Sequence, residues 1–241
     1  MRLCAVWYAG PVHDLPEDQM AAEDEPGRRR VDRLLAETSR VEAFSDGVFA
    51  IAATLLVLTL TVPTVREAAS GRLLWHELLQ RWPTYFAFVV SFVSILVMWA
   101  SHHNIFTLIR RVDHTFLLIN GVVLMGVTVI PFSTELLAQH LGHPGEHVAA
   151  AIYSGVALII ALGFNALWYW ARRRGGHLLE LEIPARTMRL FTRQYAVGPL
   201  VYLAALGVSF VSAWGSLAIF VLVLVFYAIP TPATAPLDAY E

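Results

Sequence analysis

Residues 40–60 read RVEAFSDGVFAIAATLLVLTL. From Phe44 onward this stretch is close to the roughly 20 apolar residues that a helix needs to cross a bilayer. It nevertheless holds an acid, Asp46, one residue after Ser45. A charge in such a segment costs roughly 2.5–3.5 kcal/mol on insertion scales, so Asp46 needs a reason to be there. With about 100° per residue and Ile51 at zero, Leu55 falls near 40°, Leu58 near −20°, Val48 near 60°, Gly47 near −40° and Phe44 near 20°. These residues form one apolar stripe. On the same wheel Asp46 lies near −140°, Ser45 near 120° and Ala53 near −160°, on the back of the helix. The small Ala50 and Ala53 lie beside Asp46, so a second helix can approach there. Asp46 and Ser45 therefore cannot face the same space as Ile51, Leu55 and Leu58. If the acid is buried in protein, the stripe faces either lipid or a symmetry-related copy of itself.

The rest of the chain agrees with a membrane setting. Of 241 residues, 57% are hydrophobic and 15% charged, and the mean hydropathy is +0.58. Soluble domains carry nearer a quarter charged residues. The expectation is an all-α membrane protein with six transmembrane helices, over 43–62, 83–101, 114–134, 148–171, 195–212 and 215–230. Pro63, Pro83, Gly142, Pro144, Gly145, Gly175 and Gly176 punctuate them. The last two spans are expected to form a tight hairpin around Trp214 and Gly215. Residues 1–39 are expected to be a disordered cytoplasmic extension, 40–230 the membrane domain, and 231–241 a short cytoplasmic tail. The opening MRLCAVWYAG is too short an apolar run for a cleavable signal. A single cysteine, Cys4, excludes an internal disulfide and argues against a thiolate metal site.

All 17 basic residues are arginine, and their placement orients the chain. Basic residues concentrate on the cytoplasmic side of membrane proteins. With the N-terminus inside, the segment before the first span, the loop with Arg110 and Arg111, and the loop with Arg172, Arg173, Arg174, Arg186, Arg189 and Arg193 are all cytoplasmic. Only Arg66, Arg72 and Arg81 stay outside. Both termini are then cytoplasmic, in a multi-pass protein of the cell membrane. The arginine triplets serve topology rather than nucleic acid, and no nucleic-acid partner is expected.

The first span resembles the first-helix signature of the endolysosomal-type potassium channels (transmembrane protein 175-like), in their prokaryotic six-span branch. Arg40, Phe44, Ser45, Asp46 and Thr54 occupy the places of that signature. Trp99, His102 and His103 close the second span as in the family, and Asp113, Asn120, Pro131 and Phe132 follow at similar spacing. The long N-terminal extension and the arginine-rich fourth loop are departures. The resemblance implies a potassium channel assembled as a homotetramer, four first helices lining one central pore. By position, Ile51 matches the main constriction, Leu55 and Leu58 further apolar rings, and Thr54 a hydroxyl layer. There is no TVGYG-type carbonyl filter. Expected partners are further copies of the chain, membrane lipid and permeant monovalent cations, potassium foremost; no cofactor is implied.

The resemblance also points to a hydrogen-bonded support in which Asp46 accepts from neighbouring helices. Trp99, His102 or His103, and Arg40 are the candidate donors. Ser45, Asp113 and Asn120 are further members, with Asn120 read as an interhelical hydrogen bond and not an ion ligand. His140, His143 and His147 share the outer loop after the third span with Glu146, but Pro144 and Gly145 break any helix that would align them, so no metal site is expected. Trp75, Trp82, Trp168, Trp170 and Trp214 sit near span ends, as an interfacial belt requires. A proton-permeable or weakly selective pore and a secondary transporter are the competing functions. No nucleophile–base pair, HExxH or converging carboxylate pair suggests an enzyme.

Overall fold

A computed structural model describes residues 37–64, 70–176, 178–179 and 185–228. Among these residues seven helices follow in order: α1 (Glu37–Thr59, its last turn 3-10), α2 (Gly71–Gln80), α3 (Trp82–Phe106), α4 (His114–His140), α5 (Glu146–Gly176), α6 (Ala185–Ser209) and α7 (Ala213–Ala228). Among the described residues, four of them are long and apolar enough to span a bilayer: α1, α3, α4 and α5 through Arg173. Helix α7 is apolar but shorter, and α6 is long but opens on Arg186, Arg189 and Arg193.

Helix α1 starts earlier than the sequence expectation, and one helix is additional to it. Helix α1 is already formed at Glu37, within the segment expected to be disordered; Thr38 is buried and its hydroxyl reaches the Arg110 carbonyl at 3.4 Å. The remainder of the extension and the tail lie outside the described residues. Helix α2 is an element the sequence expectation lacks. Its leucines recur at helical spacing, and Ser70 caps its start by accepting from the Leu73 amide at 3.3 Å. Pro83 stands in the first turn of α3, where its missing N–H costs nothing. The final hairpin turns within three residues, with the Ser212 hydroxyl accepting from the Gly215 amide at 3.0 Å.

Sequential helices pack as neighbours from α3 to α7, and α7 returns to α3. Close approach of α4 and α5 rests on glycine. A Cβ at Gly126 would come within 2.7 Å of Ile160 Cγ1, and one at Gly163 within 2.6 Å of Val123 Cγ2. In a bilayer, where lipid is as apolar as leucine, such backbone proximity and buried hydroxyl pairs hold helices together. Ser91 bonds both the Tyr153 hydroxyl (2.9 Å) and Thr134 (2.7 Å), tying α3, α4 and α5. Ser154 and Ser216 join α5 to α7 at 3.0 Å.

Helix α6 contains Pro199, which removes one N–H and frees the carbonyl four residues earlier, that of Tyr195. Asn165 of α5 donates its amide to that same carbonyl. The proline is thereby accommodated inside the bundle without an orphaned acceptor.

The arginine-bearing segments meet at one end. Arg110 N bonds the Leu178 carbonyl at 2.9 Å, joining the α3–α4 loop to the segment after α5. Thr38 attaches the start of α1 to the same place. At the other end Arg81 donates to the Thr61 carbonyl and hydroxyl at 3.2 and 2.9 Å, and Trp82 stacks on Trp214 with centroids 5.4 Å apart.

Candidate pore helix and its support

Helix α1 has two faces of opposite fate. Ser45, Phe49, Ala52 and Leu56 follow one another at three- and four-residue spacing and are buried against α3 and α4. Across the helix, Phe44, Ile51, Leu55 and Leu58 are 66, 60, 43 and 73% exposed. Thr54 and Gly47 are exposed on the same side. Among the described residues the stripe drawn from the sequence is thus left uncovered, except at Val48, which packs at the core margin. The Thr54 hydroxyl donates to the Ile51 carbonyl one turn back, at 2.9 Å. That bond occupies its proton and leaves its oxygen lone pairs available.

The buried side of α1 is held by polar side chains. Trp99 Nε1 donates to Asp46 Oδ1 at 2.9 Å. One turn nearer the basic end, His103 Nδ1 meets Glu42 Oε1 at 2.9 Å. The pairs Glu42/Asp46 and Trp99/His103 are each spaced i, i+4, so two antiparallel helices form a two-rung ladder. The sequence reading does not single out Glu42, although its four-residue offset from Asp46 puts it on the same flank.

A second chain of bonds runs beside the ladder. Ser45 Oγ donates to the Val41 carbonyl at 2.9 Å and accepts from Asn120 Nδ2 at 3.0 Å. Asn120 Oδ1 in turn lies 2.9 Å from His102 Nε2. With the amide nitrogen committed to Ser45, the oxygen must accept, so His102 carries its proton on Nε2. The imidazole is wholly buried between Phe49 and Phe106, at centroid distances of 5.3 and 4.5 Å. Its Nδ1 is buried with no hydrogen-bond partner among the described residues.

Two expected members stand apart. Asp113 caps α4, accepting from the Phe116 amide at 2.7 Å, and receives Trp170 Nε1 at 3.1 and 3.0 Å. It therefore fastens α5 to the start of α4 rather than serving Asp46. Arg40 is exposed, on the stripe side of α1, and no hydrogen bond joins it to Asp46 among the described residues. Pointing some 120° away from Asp46 on the wheel, with about 100° per residue, it cannot reach across the helix. The histidines around the α4–α5 turn bond main chain: His140 to Leu136, His143 to Leu141 and His147 to Ser209, at 2.9, 3.2 and 2.9 Å.

Comparison with known proteins places this arrangement. The family model of the endosomal/lysosomal potassium channel TMEM175 matches residues 40–131, the segment holding α1, the ladder and most of α4. A potassium channel of Chamaesiphon minutus is 46% identical over 198 residues, covering 82% of this chain and 97% of the relative. A potassium channel of Streptomyces collinus is 44% identical over 207 residues, covering 83% and 98%. The human endosomal/lysosomal proton channel TMEM175 is 29% identical over 73% of this chain and 37% of its own length. The fold superposes on the crystal structure of a lysosomal potassium-selective channel TMEM175 homolog from Chamaesiphon minutus with a TM-score of 0.73, at 45% identity over 80% of this chain and 97% of that one. With a match of this extent spanning both the signature helix and the whole bundle, the chain belongs to the TMEM175 family of potassium channels.

Proposed function

We propose that the chain is a potassium-selective channel in which α1 lines the conduction path. The observation that carries this reading is the division of α1: one face bonded into the bundle, the other an apolar stripe left exposed among the described residues. One helix face cannot enclose a pore, so several copies must close a ring around an axis, and closed cyclic symmetry is the usual solution. Four copies accord with the family resemblance. Six spans accord with α6 and α7 crossing as a hairpin. Both termini then lie in the cytoplasm, on the arginine-rich side.

In such a ring Ile51, Leu55 and Leu58 form successive hydrophobic collars. Aliphatic collars offer an ion no ligands, so conduction requires a bore wide enough to stay wet, and narrowing closes it by dewetting. Potassium surrenders water more readily than sodium and is favoured at a tight collar. Thr54, whose proton is spent on the Ile51 carbonyl, presents oxygen lone pairs to a partly dehydrated cation.

The test is the reversal potential of purified protein in planar bilayers with potassium on one side and sodium on the other. Ile51→Asn should wet the collar and move the reversal potential toward zero. A mutant indistinguishable from the parent would remove Ile51 from the filter. The proton-channel name carried by the human relative supports a second reading, proton permeation through the same path. A pH gradient imposed at symmetrical potassium separates it: a reversal potential that follows the proton gradient selects the second reading.

A further inference from the structure

Helix α6 presents two faces along most of its length. Phe191, Tyr195, Tyr202 and Ala205 are buried against the bundle. On the opposite side Arg186, Arg189 and Arg193 are all exposed. Their i, i+3, i+7 spacing keeps them within roughly 60° of arc at about 100° per residue. The same stripe continues as Val197, Leu200 and Ala204, also exposed, with Leu200 at 67%. Helix α6 contains no acidic residue. Three guanidiniums therefore sit at one end of an outward apolar track, the nearest, that of Arg193, one turn or about 6 Å along the helix from Val197.

We propose that this face of α6 binds an anionic phospholipid of the leaflet at the arginine-rich end. The phosphate is held by Arg186, Arg189 and Arg193, and an acyl chain runs along Val197, Leu200 and Ala204. A soluble anion would use only the arginines. The apolar continuation below them is the feature a lipid exploits and free phosphate does not. Arginine suits the task because its aliphatic stem lies along apolar surface while the planar head reaches the interface and forks onto phosphate oxygens. A zwitterionic lipid offers the same phosphate, but its own ammonium group offsets the attraction, so the site discriminates by headgroup charge. The proposal rests on the part of the reading above in which α6 spans the membrane, and is independent of where the pore lies.

The experiment is native mass spectrometry of the full chain purified in neutral detergent, titrated with phosphatidylglycerol, phosphatidylcholine or inorganic phosphate. Bound phosphatidylglycerol should exceed phosphatidylcholine by at least about tenfold in affinity. Arg186→Gln/Arg189→Gln/Arg193→Gln should abolish that preference, whereas the corresponding triple lysine variant should retain most of it. Leu200→Gln should weaken phosphatidylglycerol without affecting phosphate. Equal binding to the triple glutamine variant, or displacement of the lipid by phosphate at equal concentration, overturns the proposal. Ion flux is not read in this assay, so a negative result here leaves the potassium-channel reading standing, and a failure of selectivity in bilayers leaves this one standing.

Discussion

The Trp99 indole of α3 donates to the Asp46 carboxylate of α1 at 2.9 Å, and this bond fixes which way α1 is turned. Because Asp46 and the Ile51 stripe lie on opposite sides of one helix, seating the acid against α3 obliges Ile51, Leu55 and Leu58 to face outward. Rotating α1 by one residue would take the acid about 100° away from the indole and forfeit a hydrogen bond to a charged group, worth roughly 1.5–3 kcal/mol. The polar bonds thus act as a register pin for the apolar face.

Asp46→Ala should accordingly lower the unfolding midpoint and the yield of assembled protein before it alters selectivity. Loss of a hydrogen bond to a charged group is worth roughly 1.5–3 kcal/mol, toward the low end here because Trp99 is partly exposed. Asp46→Asn keeps an acceptor for the indole and should be milder. Size-exclusion profiles and thermal melts check this, and a well-assembled Asp46→Ala protein with changed ion preference would contradict it.

Asn120→Leu should cost more than Asp46→Ala. It orphans His102 Nε2 in a wholly buried setting and removes the donor to Ser45. Leaving a buried polar group unsatisfied costs roughly 1–3 kcal/mol. A cycle of Asn120→Leu, His102→Phe and the double variant should show coupling, with the double variant more stable than the sum of the two single losses implies.

The amide of Asn165 and the ring of Pro199 make a second coupled pair. Asn165→Leu leaves the Tyr195 carbonyl without its donor, so melting should fall by an amount equivalent to about 1–2 kcal/mol. In a Pro199→Ala background the backbone N–H regained at that position can take the carbonyl, and the same substitution should be nearly silent. Equal effects in both backgrounds would refute the link.

Gly126→Ala and Gly163→Ala should each strain the α4–α5 contact, since the added methyl would stand 2.7 Å from Ile160 and 2.6 Å from Val123. Overpacking of this kind typically costs about 1–3 kcal/mol. Pairing Gly163→Ala with Val123→Ala should recover most of the loss in a thermal melt. Gly121→Ala, with nothing within 4 Å, serves as the silent comparison within the chain.

The run from Phe44 to Leu58 contained enough to deduce its own orientation, because a helix has a fixed period and a carboxylate has a fixed aversion to lipid. Period and polarity alone assigned Ile51, Leu55 and Leu58 to one face and Ser45 and Asp46 to another. The same physics grouped the arginine-bearing loops at one end. Partners across space were another matter. Sequence offered several donors for Asp46, and only the crossing of α1 and α3 singled out Trp99, moved His103 onto Glu42 and removed Arg40 and Asp113 from the cluster. Likewise Pro199 frees a carbonyl in α6, and only the approach of α5 brings Asn165 to it. A helix period is local and survives in one dimension; the choice among equally competent donors depends on crossing angles and depth, which only the packed bundle decides.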